Sequence, residues 1–437
     1  MPLIFGAAES HPMVDALLRT RVPRWSELNR AIDQRDDMYH FLAELFAQDR
    51  DRALVSYFTS TLEQFELLRY IARWRFADGP RTFLDFASGY GRLTRLLVHE
   101  RFAREVHASD ILEGAMTFQA AQFGVKTILS TTQPSALPIA GRYDLIFVAS
   151  LFTHLPPESF TRWLQRLAGL LEPEGLLVFS VHDESVAPGK VDGISFRAQS
   201  ESRVLDTNEY GSTWVTESFV RAEVAAAGLN FDCVRLPRAL SDWQDVYVIS
   251  PARLTPGEPR RVPRGFVEGI EIDGTGAKIT GWAVAGDETA ARVEVRVEDE
   301  VVATAATFFD RPDVAAALGG ATPVRAGWHC LVPHAAVRSF RFQVVTVSAF
   351  SRANDERILF LGTLESLVSH VEAARAKNLQ QQVTRHETAS SELALLIAEL
   401  YRVRAARDHE LDLMRKSPFW KARSTWLTVK RALRLGR

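Results

Sequence analysis

The sequence predicts an α/β chain, in which a mostly parallel sheet covered by helices follows a helical region and precedes an all-β region and a long helix. Three observations support this prediction. Short apolar runs alternate with amphipathic helices between residues 76 and 251, the hydrophobic period becomes two between residues 264 and 362, and neither proline nor glycine occurs in residues 364–414. Buried parallel strands are continuously apolar, half-buried strands alternate, and an unbroken helix avoids both breakers.

The composition excludes several classes of protein. Of 437 residues, 46% are hydrophobic and 24% are charged, which excludes wholesale disorder. The 52 basic and 54 acidic residues give a formal charge of -2, so no nucleic-acid partner is expected. Two cysteines cannot build a disulfide framework or a four-thiolate zinc site, and no metal is expected. We find neither a secretory signal nor the ~20 apolar residues of a membrane span, and we expect a cytoplasmic protein.

Helical periodicity over residues 38–74 predicts a helical N-terminal cap comprising residues 1–75, and Asp78-Gly79-Pro80 ends it. Residues 76–251 are expected to form the sheet and its covering helices. The predicted strands are 82–86, 105–109, 126–130, 143–149, 176–181, 230–235 and 246–250. The predicted helices between them are 92–99, 115–123, 158–171 and 216–227.

The remainder of the chain divides into four predicted parts. Prolines predict a linker at 252–263, and alternating residues such as Val293, Val295 and Val297 predict a β-sandwich at 264–362. Residues 363–414 are expected to form a long helix or a short coiled coil, through which the chain could form a homo-oligomer. Residues 415–437 hold eight basic residues, no acid and several interleaved aromatic residues. They predict a basic amphipathic tail for peripheral contact with an anionic membrane or for docking on a partner.

The chemistry-bearing segment runs from Asp85 to Arg92 and reads DFASGYGR, between the first strand and its helix. Gly89 and Gly91 let the backbone approach a ligand closely, and Asp85 can pair with an ammonium group. Asp110 ends the second strand 19 residues after Gly91, where an acid accepts hydrogen bonds from ribose hydroxyls.

Two cofactors use such a layout. A nicotinamide dinucleotide requires G-x-G-x-x-G, but Thr94 occupies the third glycine position, and Asp85 would repel a pyrophosphate. S-adenosylmethionine has an amino acid tail and no phosphate, so it suits the segment better.

The segment resembles the first motif of class I S-adenosylmethionine-dependent methyltransferases, D-x-G-x-G-x-G. Ala87 replaces the first glycine, which should be tolerated if its φ is negative. Three later segments, at 137–145, 152–156 and 171–177, are similar to further motifs of that family, although Glu174 stands where the family usually has glycine. The resemblance covers residues 76–251 and implies a Rossmann-like, seven-stranded methyltransferase sheet whose last two strands are antiparallel. It implies a cofactor site formed by Asp85, Ala87, Ser88, Gly89, Gly91, Asp110, Ile111 and Ala149.

The acceptor side is less determined. His154 and His182 follow the fourth and fifth strands, at the sheet edge where ligands bind, so either could be a general base. Each could instead have only a structural role. Asp183 and Tyr210 are expected to contact the acceptor, whereas Trp243 is expected to pack in the core. The segment after the fourth strand, Ala149 to Phe152, lacks the Asn/Asp-Pro-Pro motif of adenine-N6 enzymes. Neither cysteine is close to this segment, whereas cytosine-C5 enzymes need a nucleophilic cysteine there.

Segments of residues 264–362 resemble β-sandwich modules appended to bacterial polysaccharide glycosyltransferases and methyltransferases; they include Gly281-Trp282-Ala283 and Gly327-Trp328. Tyr210-Gly211 and Gln244-Asp245 are similar to elements of methyltransferases carried in bacterial polysaccharide gene sets. Together these resemblances imply methylation of a hydroxyl or amine of a sugar in surface polysaccharide biosynthesis. Two alternatives stay open: a non-catalytic scaffold with a glycan-binding sandwich, and a small-molecule methyltransferase of secondary metabolism. The sandwich could also be only a spacer.

Overall fold

The computed structural model describes residues 11–47, 49–199, 206–226, 231–298, 300–319, 325–334, 336, 343–376, 379–380, 399, 402–405 and 407–409. The chain divides into two compact units, Met1–Leu367 and Val368–Arg437. Every described residue of the second unit is helical, which agrees with the helix predicted there. The rest of that predicted helix and the whole basic tail, 415–437, lie outside the described residues.

The N-terminal region folds into helices as its periodicity predicts. The helices are α1 (Pro12–Arg19), α2 (Asp37–Leu45) and α3 (Arg50–Ala72). Asp36 caps α2 by accepting hydrogen bonds from the backbone N–H groups of Met38 and Tyr39, which satisfies donors at the helix start. The buried face of α3 shares one core with sheet residues such as Phe83 and Leu145. The cap is therefore packed directly on the sheet.

The central sheet has the predicted strands, although β5 begins five residues before the predicted start and β8 ends five residues after the predicted end. The strands are β1 (Thr82–Phe86), β2 (Glu105–Asp110), β3 (Lys126–Leu129), β4 (Tyr143–Val148), β5 (Leu171–Asp183), β6 (Ile194–Arg197), β7 (Ser212–Val215), β8 (Asp232–Leu240) and β9 (Gln244–Ser250). The covering helices are α4 (Thr94–His99), α5 (Glu113–Phe123), α6 (Pro157–Ala168) and α7 (Glu217–Ala226).

The pairing order β3-β2-β1-β4-β5 is parallel throughout. Strand β9 runs antiparallel to β5, and β8 runs antiparallel to β9, so the last two strands form the expected antiparallel pair. Successive residues of β4 enter two different cores: Leu145 and Phe147 face the cap, while Ile146 and Val148 face α6. Helices thus cover both faces, and the ligand-binding edge lies at the carboxyl ends of β1, β2 and β4.

All seven predicted strands are present, and two short strands that were not predicted extend the sheet to nine. Strand β5 extends to Asp183, and there β7 pairs with it in parallel, with His182 opposite Trp214. Strand β6 then pairs with β7 in the antiparallel sense. Neither was predicted, because β7 depends on pairing with the far end of β5, and β6 pairs with β7.

Two antiparallel sheets follow within the first unit. One contains β10 (Pro263–Asp273), β11 (Gly276–Ala285), β12 (Glu288–Thr289), β15 (Phe309–Asp310) and β16 (Arg325–Pro333). The other contains β13 (Arg292–Val297), β14 (Glu300–Ala305), β17 (Val345–Phe350) and β18 (Glu356–Gly362), and α8 (Pro312–Ala317) lies between β15 and β16 along the chain. Val293, Val295 and Val297 are buried, as their alternation predicts. In the part of the chain that the structure describes, no helix has the length and apolar character needed to cross a membrane.

Candidate active site

A cavity of about 450 Å³ opens at the carboxyl edge of the central sheet. It is lined by the β1–α4 turn, the end of β2, the loop after β3, the end of β4, part of the cap and residues 208–210. Nine of the predicted site residues line it: Asp85, Ala87, Ser88, Gly89, Asp110, Ile111, Ala149, His154 and Tyr210. Ligands of open α/β sheets bind at this edge.

The β1–α4 turn has a left-handed backbone at alternate residues. Gly89 has a φ of 55° and Gly91 a φ of 74°. A Cβ atom on Gly91 would lie 2.6 Å from Phe123, so this position requires glycine for space as well as for conformation. Ala87 has a φ of 57°, which corrects the expectation of a negative φ. An L-residue in this region costs roughly 1–2 kcal/mol, so the alanine is strained where the family pattern has glycine.

Asp110 ties the end of β2 to this turn. Its Oδ2 accepts a hydrogen bond from the Gly89 backbone N–H at 2.8 Å, and its Oδ1 accepts one from the Leu112 N–H at 2.9 Å. Burial raises the pKa of Asp110, while these backbone donors lower it. Each carboxylate oxygen has a second lone pair, so both can still accept a hydrogen bond from a ribose hydroxyl.

Asp85 lies at the end of β1 and is only 4% exposed. Its Oδ2 accepts a hydrogen bond from the Thr94 hydroxyl at 2.7 Å. The pKa of Asp85 is raised to about 7, mainly by burial and to a lesser degree by the nearby Asp110 carboxylate, while the Thr94 hydrogen bond and Arg92 oppose the rise. A buried carboxylate beside a second one favours a cationic ligand, because a positive charge stabilises its ionised form. The ammonium group of S-adenosylmethionine fits that requirement.

Two cap residues that line the cavity, Asp36 and Gln64, were not predicted from the sequence. The cap also forms a hydrogen bond with Arg92, another residue of the lining. Asp36 accepts a hydrogen bond from the Tyr57 hydroxyl at 2.7 Å, and Arg92 donates one to the Ser60 hydroxyl at 3.1 Å. Burial lowers the pKa of Arg92 and raises that of Asp36. Arg92 directly follows the glycine turn, but no local signal distinguishes Gln64 from its apolar helix neighbours.

His154 lies at the opposite part of the lining. Its Nδ1 is 2.7 Å from the Gly211 carbonyl oxygen, and its ring stacks on Tyr210 with centroids 4.3 Å apart. A carbonyl can only accept, so Nδ1 carries the proton and Nε2 of the neutral ring has the free lone pair. Burial lowers the pKa of His154, which keeps the ring neutral at pH 7. The side chain can therefore accept a proton.

Three predicted site residues are absent from the described lining of this cavity: Gly91, His182 and Asp183. His182 pairs with β7, and burial lowers its pKa to about 4. Asp183 accepts a hydrogen bond from Ser185 and lies 3.3 Å from an Arg235 guanidinium nitrogen, so its described partners are structural. The expectation that Trp243 packs in the core was wrong, because it is 53% exposed.

Comparisons with known proteins agree with this geometry. Residues 36–234 match the family model described as a methyltransferase domain. Alpha N-terminal protein methyltransferase 1 of Arabidopsis thaliana is 32% identical over 132 residues, which are 28% of this chain and 45% of that protein. The chain thus spans less than half the length of this curated relative.

Solved structures show more distant likenesses. The glycopeptide N-methyltransferase MtfA is 14% identical, with a TM-score of 0.34 over 43% of this chain and 89% of that chain. The N-methyltransferase NodS of Bradyrhizobium japonicum is 14% identical, with a TM-score of 0.32 over 51% of this chain and 100% of that chain. The family match shows that residues 36–234 are similar to a methyltransferase domain.

Proposed function

We propose that the whole chain is an S-adenosylmethionine-dependent methyltransferase whose acceptor is a hydroxyl or amine of a sugar in bacterial surface polysaccharide biosynthesis. The observation that carries the proposal is the placement of Asp85, Asp110 and His154 around one cavity. When bound, the cofactor supplies a methyl group activated by a sulfonium. The chain supplies binding, orientation and proton transfer, which contribute most of the rate in a displacement of this kind.

The cofactor-binding roles follow from the contacts of each residue. Asp110 accepts hydrogen bonds from the ribose hydroxyls while the Gly89 and Leu112 N–H groups hold its carboxylate in place. Asp85 pairs with the ammonium of the amino acid tail. Ile111 and Ala149 supply apolar contacts at the ends of β2 and β4, and the open turn at Gly89 allows the backbone to approach. Ser88 and Gly91 maintain the backbone conformation of that turn.

His154 is the better candidate for the general base of the two histidines. It lines the cavity, its Nδ1 proton is engaged by the Gly211 carbonyl, and its Nε2 can take the proton that the acceptor loses. Tyr210, stacked on the ring, would contact the acceptor. Asp183 remains a proposal as an acceptor ligand, although Arg235 and Ser185 already engage its carboxylate.

A sugar acceptor is supported by the resemblance of residues 264–362 to sandwich modules of polysaccharide enzymes and by the exposed polar residues Asn208 and Glu209 at the cavity. The test incubates the full chain with methyl-labelled cofactor and separate pools of lipid-linked glycans, free sugars and small-molecule extracts. Label in the glycan fraction supports the proposal. Label only in small molecules favours an enzyme of secondary metabolism, and tight cofactor binding without turnover on any pool favours the scaffold.

Further parts of the proposal concern the regions around this domain. We propose a cap at 1–75, a methyltransferase domain at 76–251, a linker at 252–263, a β-sandwich module at 264–362 and an oligomerising helix at 363–414. The tail at 415–437 would hold a cytoplasmic enzyme at an anionic membrane through its eight cations. Co-sedimentation with anionic vesicles tests it: loss of binding on truncation after Met414 supports the tail, and equal binding contradicts it.

A further inference from the structure

We propose that the two-sheet region is a positioning element of the cofactor site, acting through helix α3 and the ion pair between Glu63 and Arg357. The proposal rests on the proposed function, because it concerns the affinity of the same cavity for S-adenosylmethionine. On this proposal the two-sheet region is needed for cofactor binding, and it is not an appended module that could be removed without effect.

Arg357 of β18 joins the two-sheet region to two other parts of the first unit. Its Nη1 donates to Glu63 Oε1 of α3 at 2.7 Å, and its Nη2 donates to Asp242 Oδ1, in the turn before β9, at 3.1 Å. The Arg357 side chain is 19% exposed and that of Glu63 is 23% exposed, so solvent screens this pair less than an exposed one. One guanidinium therefore holds the helix and the central sheet to β18.

The two residues before Arg357 make similar contacts. Glu356 pairs with Arg21, just after α1, at 3.1 Å, and Asp355 pairs with Arg260 of the predicted linker at 3.2 Å. Two apolar residues of β18, Ile358 and Leu361, pack against the core shared by the cap and the sheet. Two of these ion pairs, Glu356–Arg21 and Arg357–Glu63, together with the apolar packing, join β18 to the cap, and the pair Asp355–Arg260 joins the residue before β18 to the predicted linker. A freely swinging module would not have these half-buried contacts.

Helix α3 carries this contact to the cavity within one turn. Gln64, directly after Glu63, lines the cavity and is only 4% exposed. Ser60, one turn earlier, accepts the hydrogen bond from Arg92, another lining residue. Ser60 is three residues before Glu63 and lies beside it on the helix, and Gln64 is joined to Glu63 through the backbone, so a shift of α3 at Glu63 moves both. The position of β18 is thereby linked to the wall of the cofactor site.

The expected effect is on the fraction of molecules whose site is correctly arranged. If α3 is held in place in only a tenth of the molecules, the apparent affinity falls tenfold even though no cofactor contact has been removed. We therefore expect Arg357→Ala to weaken binding of S-adenosylhomocysteine by about tenfold, which corresponds to ~1.4 kcal/mol at 25 °C. We also expect faster amide exchange in residues 57–64.

The experiment is calorimetric titration of the full chain with S-adenosylhomocysteine, together with hydrogen exchange. Arg325→Ala is the matched control, because Arg325 and its partner Asp310 in the same region are 71% and 72% exposed. Arg357→Lys keeps a positive charge between Glu63 and Asp242 and should retain more of the affinity than Arg357→Ala, and urea unfolding of each variant checks that it is folded. Wild-type affinity and unchanged exchange in Arg357→Ala would overturn the proposal. A wild-type chain that binds no cofactor would instead overturn the proposed function on which it rests.

Discussion

Replacing Asp110 by asparagine separates the two tasks that the structure gives this carboxylate. Its oxygens accept hydrogen bonds from the Gly89 and Leu112 backbone N–H groups, and we propose that they also accept from the ribose hydroxyls. Asparagine keeps the size of the side chain and one acceptor oxygen, but it turns an NH₂ group toward the second partner. Alanine would remove both acceptors.

The contacts set the expected magnitudes. A hydrogen bond to a charged group contributes ~1.5–3 kcal/mol, so Asp110→Asn should weaken cofactor binding by roughly 10- to 150-fold. A buried N–H left without a partner costs ~1–3 kcal/mol. Asparagine leaves one such donor and alanine leaves two, so the free energy of unfolding should fall further for Asp110→Ala than for Asp110→Asn.

Calorimetric titration with S-adenosylhomocysteine and urea unfolding measure the two effects separately. Glu113→Gln is the control, since Glu113 is an exposed acid three residues along the chain, in the first turn of α5. It removes the same charge without touching either N–H group. Wild-type affinity in Asp110→Asn would refute the ribose role. A smaller loss of stability in Asp110→Ala than in Asp110→Asn would refute the claim that Asp110 stabilises the fold by accepting from both backbone N–H groups.

Three further predictions concern the same cavity. Because the pKa of Asp85 is about 7, binding of a cationic tail should release a proton and weaken as the pH falls through 7; equal calorimetric heats at pH 7 in phosphate and Tris would contradict this. His154→Ala should lower turnover by ~10²-fold with cofactor affinity kept. Since burial lowers the pKa of His154, the wild-type rate at saturating cofactor should stay level as the pH falls from 8 to 7; a fall already at pH 7.5 or full activity of the variant would exclude this base. Ala87→Gly should raise the free energy of unfolding in urea by ~0.5–1 kcal/mol, because relief of ~1–2 kcal/mol of backbone strain outweighs the added entropy of the unfolded chain. The control Ala120→Gly, in α5, should lower it by ~1 kcal/mol. Equal losses in the two variants would show that Ala87 is unstrained.

The main strands were predictable because their burial leaves a strong pattern. The β4 run from Leu145 to Val148 is apolar at every position, since helices cover both faces of the sheet, and the predicted end was one residue too long. Strands β6 and β7 were not predictable, because β7 depends on pairing with the far end of β5, and β6 pairs with β7. Such long-range pairing has no local signature.

The cofactor side of the site was more predictable than the rest. Asp85, Gly89 and Asp110 belong to a turn and strand ends whose spacing along the chain is fixed by the fold. Gln64 was missed, because a helix residue that lines a cavity has the same period as one that packs in the core. The φ of Ala87 could not be predicted from the sequence either, since it depends on the path that the turn takes around the ligand site.

The central claim is that this cavity takes S-adenosylmethionine, and equilibrium binding to the full chain tests it most directly. The measurement is calorimetric titration with S-adenosylmethionine, S-adenosylhomocysteine and NAD under one set of conditions. We predict that the first two bind at one molecule per chain, whereas NAD does not bind, because its pyrophosphate would lie close to the buried Asp85 carboxylate. Binding of NAD without binding of either sulfur compound would contradict it.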